Sequence, residues 1–303
     1  MKVGFSSLIG RPNAGKSTLL NRLIGTKLAI VSDKPQTTRT RILGVKTTGG
    51  DTPSQLIFID TPGIHRPTHR MNVRMVDLAV DTITQVDVLV AVFDADAQTG
   101  SGDRYVLQLL DRARVPIVLA LNKIDRMAKN RLLPLIDWYR RQREFAAVVP
   151  ISALTGDGVA SLEIEIRQCL PEGNALYPVD YLTDQPERVL VAETVREKLL
   201  NHTRAELPFS TAVMVDHFEE ASEHSIMRLY CSILVDRETQ KSIVIGQRGT
   251  LIKQIGTEAR QELELFFKTR IFLDLHVRVR SGWRENVQIL EELGLKKWPG
   301  SQA

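Results

Sequence analysis

Short apolar runs alternate with amphipathic stretches through the first half of the chain. Predicted strands lie at residues 3–9, 56–59, 86–93, 117–121 and 147–151. Predicted helices, whose apolar residues recur every three or four positions, lie at 18–24, 71–84, 104–112, 132–142 and 159–170. Continuous apolar runs are typical of strands buried on both faces of a parallel sheet, so this alternation predicts a doubly wound, mostly parallel α/β domain. Ser6 and Ser7 interrupt the first run, and we expect them to weaken or partly expose that strand.

The order of predicted elements changes in the second half of the chain. These elements are a helix at 188–200, strands at 209–218 and 227–235, a helix at about 251–267 and a strand at 271–279. This order predicts a smaller α+β domain after the doubly wound one. The predicted organisation is a first domain at 1–172, a proline-containing linker at 173–186, a second domain at 187–283, and a C-terminal helix and tail at 284–303.

A glycine-rich string, GRPNAGKS at residues 10–17, separates the first predicted strand from the first helix. In such a loop the backbone N–H groups and the helix N-terminus bind phosphate oxygens. Lys16 is expected to reach the β and γ phosphates, and the Ser17 hydroxyl to ligate Mg²⁺. The predicted phosphate-binding residues are Gly10, Arg11, Pro12, Asn13, Ala14, Gly15, Lys16, Ser17, Thr18 and, from a later string, Gly63.

A second string, DTPG at residues 60–63, follows a predicted buried strand. We expect Asp60 to hold Mg²⁺, and the Gly63 N–H to meet the γ phosphate only when that phosphate is present. A threonine between the two strings must complete the Mg²⁺ shell, and we predict Thr38 with Thr37 as the alternative. The predicted switch residues are Gln36, Thr37, Thr38, Arg39, Thr61, Pro62 and Ile64.

Selection of the base is predicted from NKID at residues 122–125 and SAL at 152–154. Asp125 can accept from N1–H and the 2-amino group of guanine, a donor pair that adenine lacks. Asn122 is suited to N7, the Lys123 stem to the ring face, and the Ala153 N–H to O6. Each string alone also fits an ordinary turn, but the fixed order of all four predicts GTP and argues against an ATPase. The predicted guanine-binding residues are Asn122, Lys123, Asp125, Ser152, Ala153 and Leu154.

A Gly-x-x-Gly loop lies in the second domain at residues 246–249. Such a loop between helices, beside a small sheet, is typical of a KH module that binds single-stranded RNA. Ile245 and Ile255 are expected to form an apolar floor under the bases. Residues 246–284 carry eight Lys or Arg and four Asp or Glu, so their net charge equals the +4 of the whole chain. The predicted RNA-binding residues are Ile245, Gly246, Gln247, Arg248, Gly249 and Lys253.

Taken together, these strings resemble the Era family, the ribosome-assembly GTPases of bacteria. The resemblance extends over QTTR at 36–39, DTPGIH at 60–65, ELPFS at 206–210, VIGQRG at 244–249 and SGW at 281–283. It implies a type II KH domain that binds the single-stranded 3′ end of small-subunit ribosomal RNA, and a GTP-controlled role in maturation of that subunit. Ala14 stands where the family usually has valine, and Leu251 where it often has lysine.

The resemblance also bears on hydrolysis. Ile64 stands where Ras-like switches have a glutamine that orients the attacking water, so we expect slow intrinsic turnover. Asn13 occupies the position that helps to hold K⁺ near the phosphates in this broader group of GTPases. Possible K⁺ binding at Asn13 is therefore a further prediction.

Composition limits the class of protein and the cellular compartment. Two cysteines in 303 residues argue against a disulfide scaffold, no apolar run approaches the ~18 residues of a membrane helix, and no signal peptide is predicted. We expect a cytoplasmic monomer, with peripheral association at the inner membrane face as an option. The alternative function is a regulatory GTPase whose basic C-terminal domain binds a protein or anionic membrane.

Overall fold

The computed structural model describes residues 1–34, 37–64, 70–203, 207–221 and 226–295. These residues form two compact units. The first runs from Met1 to Asp184 without Arg70–Arg74, and the second from Gln185 to Leu295 together with Arg70–Arg74. The predicted switch residue Gln36 lies outside the described residues.

The first unit is built on a six-stranded sheet in the order β2-β3-β1-β4-β5-β6. Its described strands are β1 Lys2–Ile9, β2 Ile42–Thr48, β3 Ser54–Asp60, β4 Val88–Asp94, β5 Ile117–Asn122 and β6 Ala147–Pro150. Its helices are α1 Lys16–Ile24, α2 Arg70–Ile83 from Met75 onward, α3 Ser101–Leu110, α4 Leu132–Gln142 and α5 Val159–Cys169. β2 runs antiparallel to β3, and all other neighbours are parallel. The carboxyl ends of the parallel strands therefore share one edge of the sheet.

Helices cover both faces of this sheet, and alternate strand residues face opposite cores. Val90 of β4 packs in the core with α1 and α5, whereas its neighbour Leu89 packs with α2, α3 and α4. Burying each such side chain stabilises the folded protein by roughly 1.5–3 kcal/mol. Because both faces of these strands are buried, their sequences are continuous apolar runs.

A strap formed by residues 176–183 runs along the free edge of β2. Val45 N donates to Leu182 O at 2.8 Å, and Thr183 Oγ1 donates to Leu43 O at 2.6 Å. Gln55 of β3 anchors the other end, because its Nε2 donates to Tyr177 O at 2.8 Å. Both ends of the strap, which lies within the segment predicted as a linker, are therefore hydrogen-bonded to the first unit.

The first strand differs from its prediction. The expected weakening at Ser6 and Ser7 is wrong, because both side chains are fully buried in β1. β1 lies between β3 and β4 at these positions, so ladders on both sides satisfy its backbone. Ser7 Oγ also donates to Thr82 Oγ1 at 3.3 Å. The central position of the strand outweighs the polarity of two small side chains.

The second unit has a three-stranded sheet in the order β7-β8-β9. Its described strands are β7 Ala212–Glu219, β8 Met227–Val235 and β9 Ile271–Val279. Its helices are α6 Glu187–His202, α7 Leu207–Ser210, α8 Glu238–Ile245, α9 Thr250–Phe267 and α10 Val287–Glu292. β7 pairs antiparallel and β9 parallel with β8. Apolar residues of α6 and α9 pack on one face of the sheet in a single core.

The strand predicted at 209–218 begins later than expected. Leu207–Ser210 form the one-turn helix α7, and β7 starts at Ala212. A proline is tolerated in a first helical turn because the N–H groups there lack intrahelical partners.

Candidate functional site

The glycine-rich string forms the loop between β1 and α1, at the carboxyl edge of the sheet. Gly15 has φ 93°, and a Cβ there would lie 2.2 Å from Asn122 Nδ2. Only glycine meets both conditions, because a side chain would be strained and would displace Asn122. At this position the surface of the loop therefore consists of backbone atoms, which lead directly into the start of α1.

Lys16 is held inside this loop. Its side chain is buried, and Nζ donates to Gly10 O at 3.1 Å and to Arg11 O at 3.0 Å. Burial lowers the pKa of Lys16 to about 8, and the nearby Asp60 carboxylate opposes that shift. A phosphate anion would stabilise the charged ammonium further.

Three predicted Mg²⁺ ligands come together from three separate segments. Ser17 Oγ lies 2.7 Å from Thr38 Oγ1 and donates to Asp60 Oδ2 at 2.6 Å. Thr38 Oγ1 donates to the same oxygen at 3.4 Å. The alternative, Thr37, is directed elsewhere, because its hydroxyl donates to Lys34 O at 2.6 Å.

Asp60 provides the observation that tests whether a metal fits this cluster. Its Oδ1 is buried and has no hydrogen-bond partner among the described residues. Burial raises the pKa of Asp60, whereas Lys16 and the hydroxyls of Ser17 and Thr38 act to lower it. A buried carboxylate with an unsatisfied oxygen beside two hydroxyls is a donor set that suits a hard divalent cation.

The DTPG segment lies against the phosphate loop. Ile64 N donates to Gly10 O at 3.1 Å, and Thr61 Oγ1 donates to Leu8 O at 2.8 Å. Gly63 approaches the loop so closely that a Cβ on it would lie 2.6 Å from Pro12 Cα. The side chain of Ile64 is buried and has no hydrogen-bonding group, so it cannot orient a water molecule.

A cavity of about 360 Å³ connects the phosphate loop to the predicted base site. That volume falls within the range of small-molecule pockets. Its walls include Lys123, Asp125, Ala153 and Leu154 on one side and Asn13, Gly15 and Thr18 on the other. Lys123 Nζ lies 2.6 Å from Asp94 Oδ2, which fixes the lysine stem at the cavity wall. Ser152 is fully buried, and its Oγ accepts from Thr155 N at 3.1 Å.

Asn122 bonds to both the phosphate loop and the base loop. Its Nδ2 donates to Ala14 O at 2.8 Å, and its Oδ1 accepts from Ala153 N at 2.9 Å. The Ala153 N–H that we expected to meet guanine O6 thus bonds to Asn122. Asn122 links the phosphate loop to the base loop, a role that its sequence position does not reveal.

Two arginines, Arg11 and Arg22, support the site through contacts that no sequence pattern predicts. Arg22 of α1 donates through Nε to Ala153 O at 3.3 Å and through Nη2 to Leu154 O. Arg11 of the phosphate loop pairs with the buried Asp103 of α3 at 3.1 Å. Both partners are distant in sequence, so no local signal indicates these contacts.

Replacing Arg22 with Met is expected to weaken GDP binding about tenfold, or ~1.4 kcal/mol, because the base loop loses two carbonyl contacts to α1. Titration calorimetry would measure this loss. Arg167→Met on α5, whose Nη1 bonds to Thr52, is the matched control and should bind GDP normally. Equal affinities for the two variants would remove Arg22 from the site.

The Gly-x-x-Gly loop of the second unit projects between α8 and α9. Gln247, Arg248 and Lys253 are exposed, and Ile245 is half-buried beside the loop. Gly246 has φ 74°, and a Cβ there would lie 2.7 Å from Leu251 Cβ. The expectation that Ile255 contacts bases is wrong, because its side chain is fully buried in the core under α9.

Two family models match the chain in the order of its units. A model described as "50S ribosome-binding GTPase" matches residues 5–123, and a KH domain model matches residues 206–284. The fold and site thus define a P-loop GTPase with a KH domain. GTPase Era of Syntrophus aciditrophicus (strain SB) is 47% identical over 293 residues, covering 97% of this chain and 95% of that protein. GTPase Era of Geotalea uraniireducens (strain Rf4) is 47% identical over 291 residues, covering 96% and 97%. The chain belongs to the Era GTPase family.

Solved structures agree with this assignment. A variant of Aquifex aeolicus Era bound to GDP and AlF4⁻ matches with a TM-score of 0.93 and 39% identity, over 98% of this chain and 100% of that one. Era in complex with MgGDPNP and nucleotides 1506–1542 of 16S ribosomal RNA matches with a TM-score of 0.94 over the same shares, also at 39% identity. The predicted family, fold class and GTPase activity are confirmed.

No described helix of the chain is both long enough and apolar enough to cross a membrane.

Proposed function

We propose that this chain is a GTP-controlled switch that binds the 3′ end of 16S ribosomal RNA through its KH domain and assists maturation of the small ribosomal subunit. The observation that carries the proposal is the pairing of a cavity between the phosphate loop and the NKID and SAL segments in the first unit with an exposed Gly-x-x-Gly loop in the second. The related Era structure that contains MgGDPNP and 16S RNA supports both halves of it.

In this proposal Mg²⁺ is held by Ser17, Thr38 and Asp60. When bound, the ion neutralises charge on the β and γ phosphates. Lys16 binds the same phosphates, and Asp125 selects guanine. Since Ile64 cannot orient water, hydrolysis by the isolated chain is slow. K⁺ at Asn13, the monomeric state and peripheral membrane association stay predictions.

The RNA half of the proposal is tested at Gly249. This residue has φ 77° and open space where a Cβ would lie, whereas a Cβ at Gly246 would clash with Leu251. Gly249→Asp therefore adds a negative charge to the loop with little steric cost, since Asp tolerates a left-handed backbone. We expect crosslinks in cells to the 3′ end of the small-subunit RNA to fall by about tenfold or more, because the carboxylate repels phosphates.

Gly50→Asp is the matched control. Gly50 has φ 83°, equally open surroundings and a position in the turn between β2 and β3. Its crosslinks should equal those of the wild type. Unchanged crosslinks in Gly249→Asp would move RNA recognition away from this loop. RNA affinity that does not increase from GDP to a GTP analogue would favour the alternative, a GTPase whose basic domain binds protein or membrane.

A further inference from the structure

Positive charge is concentrated in the first unit as well as in the KH domain. Residues 101–144, from the start of α3 to just beyond α4, carry ten Lys or Arg and five Asp or Glu. Their net charge is thus +5, whereas the whole chain has +4. One of the five acids, Asp103, is buried and paired with Arg11, so it contributes little at the surface.

Most of these cations are exposed and have no counter-ion. Seven of them make no ion pair with any residue that the structure describes. We call these seven the basic surface: Arg104, Arg112, Arg114, Lys129, Arg131, Arg140 and Arg141. Exposed cations that serve only solubility are usually interspersed with acids, whereas an unpaired cluster produces a local positive field.

The fold brings these residues onto one side of the first unit. α3 and α4 follow the neighbouring strands β4 and β5 and pack into the same core. Arg143, just after α4, lies 3.5 Å from Asp111, just after α3, so the ends of the two helices are adjacent. α4 buries Tyr139 and directs Arg140 and Arg141 outward. Its 11 residues span about 16 Å, with basic residues at both ends.

We propose that the basic surface binds the phosphate backbone of double-stranded RNA next to the single-stranded segment held by the KH domain. The inference rests on the proposed function for the identity of the polyanion. It adds a second contact, in the GTPase domain, that the Gly-x-x-Gly loop does not supply.

Two observations favour RNA over an anionic membrane. Six of the seven residues are arginine, whose planar guanidinium binds phosphate oxygens in pairs. A membrane-binding surface also needs several exposed apolar side chains to enter the lipid. Among the described residues of 101–144, Leu133 is the one large apolar side chain that is strongly exposed.

The test compares two RNA probes with two double variants in the full chain. One probe is a single-stranded 3′ tail, and the other carries the same tail on a hairpin. Arg140→Gln/Arg141→Gln removes two charges from the basic surface. Lys27→Gln/Arg167→Gln removes two charges near α1 and on α5, which pack on the opposite face of the sheet. Thermal unfolding and basal GTP hydrolysis confirm that both variants are folded.

The wild type should bind the hairpin probe more tightly than the tail, and Arg140→Gln/Arg141→Gln should lose that difference while binding the tail normally. For the hairpin probe, the slope of log affinity against log salt should become shallower by about 2, since each lost phosphate contact removes roughly 0.9. The control double variant should behave as the wild type.

Three outcomes would overturn the inference. The hairpin could add nothing to wild-type affinity, or both double variants could lose affinity equally. Alternatively, Arg140→Gln/Arg141→Gln could lose binding to phosphatidylglycerol vesicles while keeping its hairpin affinity, which would assign the surface to a membrane. If the single-stranded tail probe does not bind to the wild type, that result contradicts the proposed function. The comparison of wild type and variants on the hairpin probe would still test the inference about the basic surface.

Discussion

Replacing Asp125 with Asn is expected to weaken GDP binding by about 1,000-fold, or ~4 kcal/mol, because the guanine N1–H and 2-amino donors lose their shared carboxylate. The same change should favour xanthine nucleotides. The xanthine C2 carbonyl would accept from the new amide N–H, and the amide oxygen would still accept from N1–H. The cavity wall keeps its shape, since Asp and Asn are nearly isosteric.

Titration calorimetry with GDP and XDP would measure both changes. Asp51→Asn, in the exposed turn between β2 and β3, is the control and should retain the preference for GDP. A variant at Asp125 that binds GDP and XDP as the wild type does would mean that another group reads the base.

Replacing Asp60 with Asn is expected to reduce GTP turnover by about 100-fold or more, because the proposed Mg²⁺ site loses the carboxylate among the three side chains that would hold the ion. GDP binding measured with a chelator present should change much less, since Lys16 and the backbone of the loop still hold the phosphates. A variant that hydrolyses GTP at the wild-type rate with the same Mg²⁺ dependence would remove Asp60 from the metal site.

Stability gives a second readout for this variant. Burial raises the pKa of Asp60 in the folded state, so the folded protein binds that proton more tightly than the unfolded chain does. Without metal, the contribution of Asp60 to the free energy of unfolding is therefore largest below its ordinary pKa and is lost as the pH rises through the folded pKa. The Asp60→Asn variant has no ionisable group at this position, so its free energy of unfolding does not fall with rising pH for this reason. Urea unfolding in a chelator should thus find the variant at least as stable as the wild type near neutral pH.

The sequence correctly predicts which strings lie close together where their proximity follows from the order of strands and loops. The strings at 10–17 and 60–63 follow strands β1 and β3, and parallel strands end at a common edge, so their proximity follows from the fold class. The choice between Thr37 and Thr38 could not be made from sequence. It depends on the direction of each hydroxyl, and the structure turns Thr38 toward Ser17.

The errors have a common physical cause, which is that tertiary position decides the environment of a residue. Ser6 and Ser7 are polar, yet their strand is central and they are buried. Ile255 was expected beneath the bases because it is apolar and near the loop, but that face of α9 packs into the core. Arg22 and Asn122 act through backbone groups far along the chain, which periodicity cannot detect.

The strap at 176–183 determines where the GTPase domain can be separated from the rest of the chain. β2 is the outermost strand of its sheet, and an uncovered edge can pair with another molecule and aggregate. The domain boundary predicted at residue 172, where the helical pattern breaks, would remove Leu182 and Thr183 and expose that edge. A shortened protein that ends after Asp184 keeps this edge covered, so the twelve extra residues form part of the smallest GTPase unit in which β2 has a partner on its outer side.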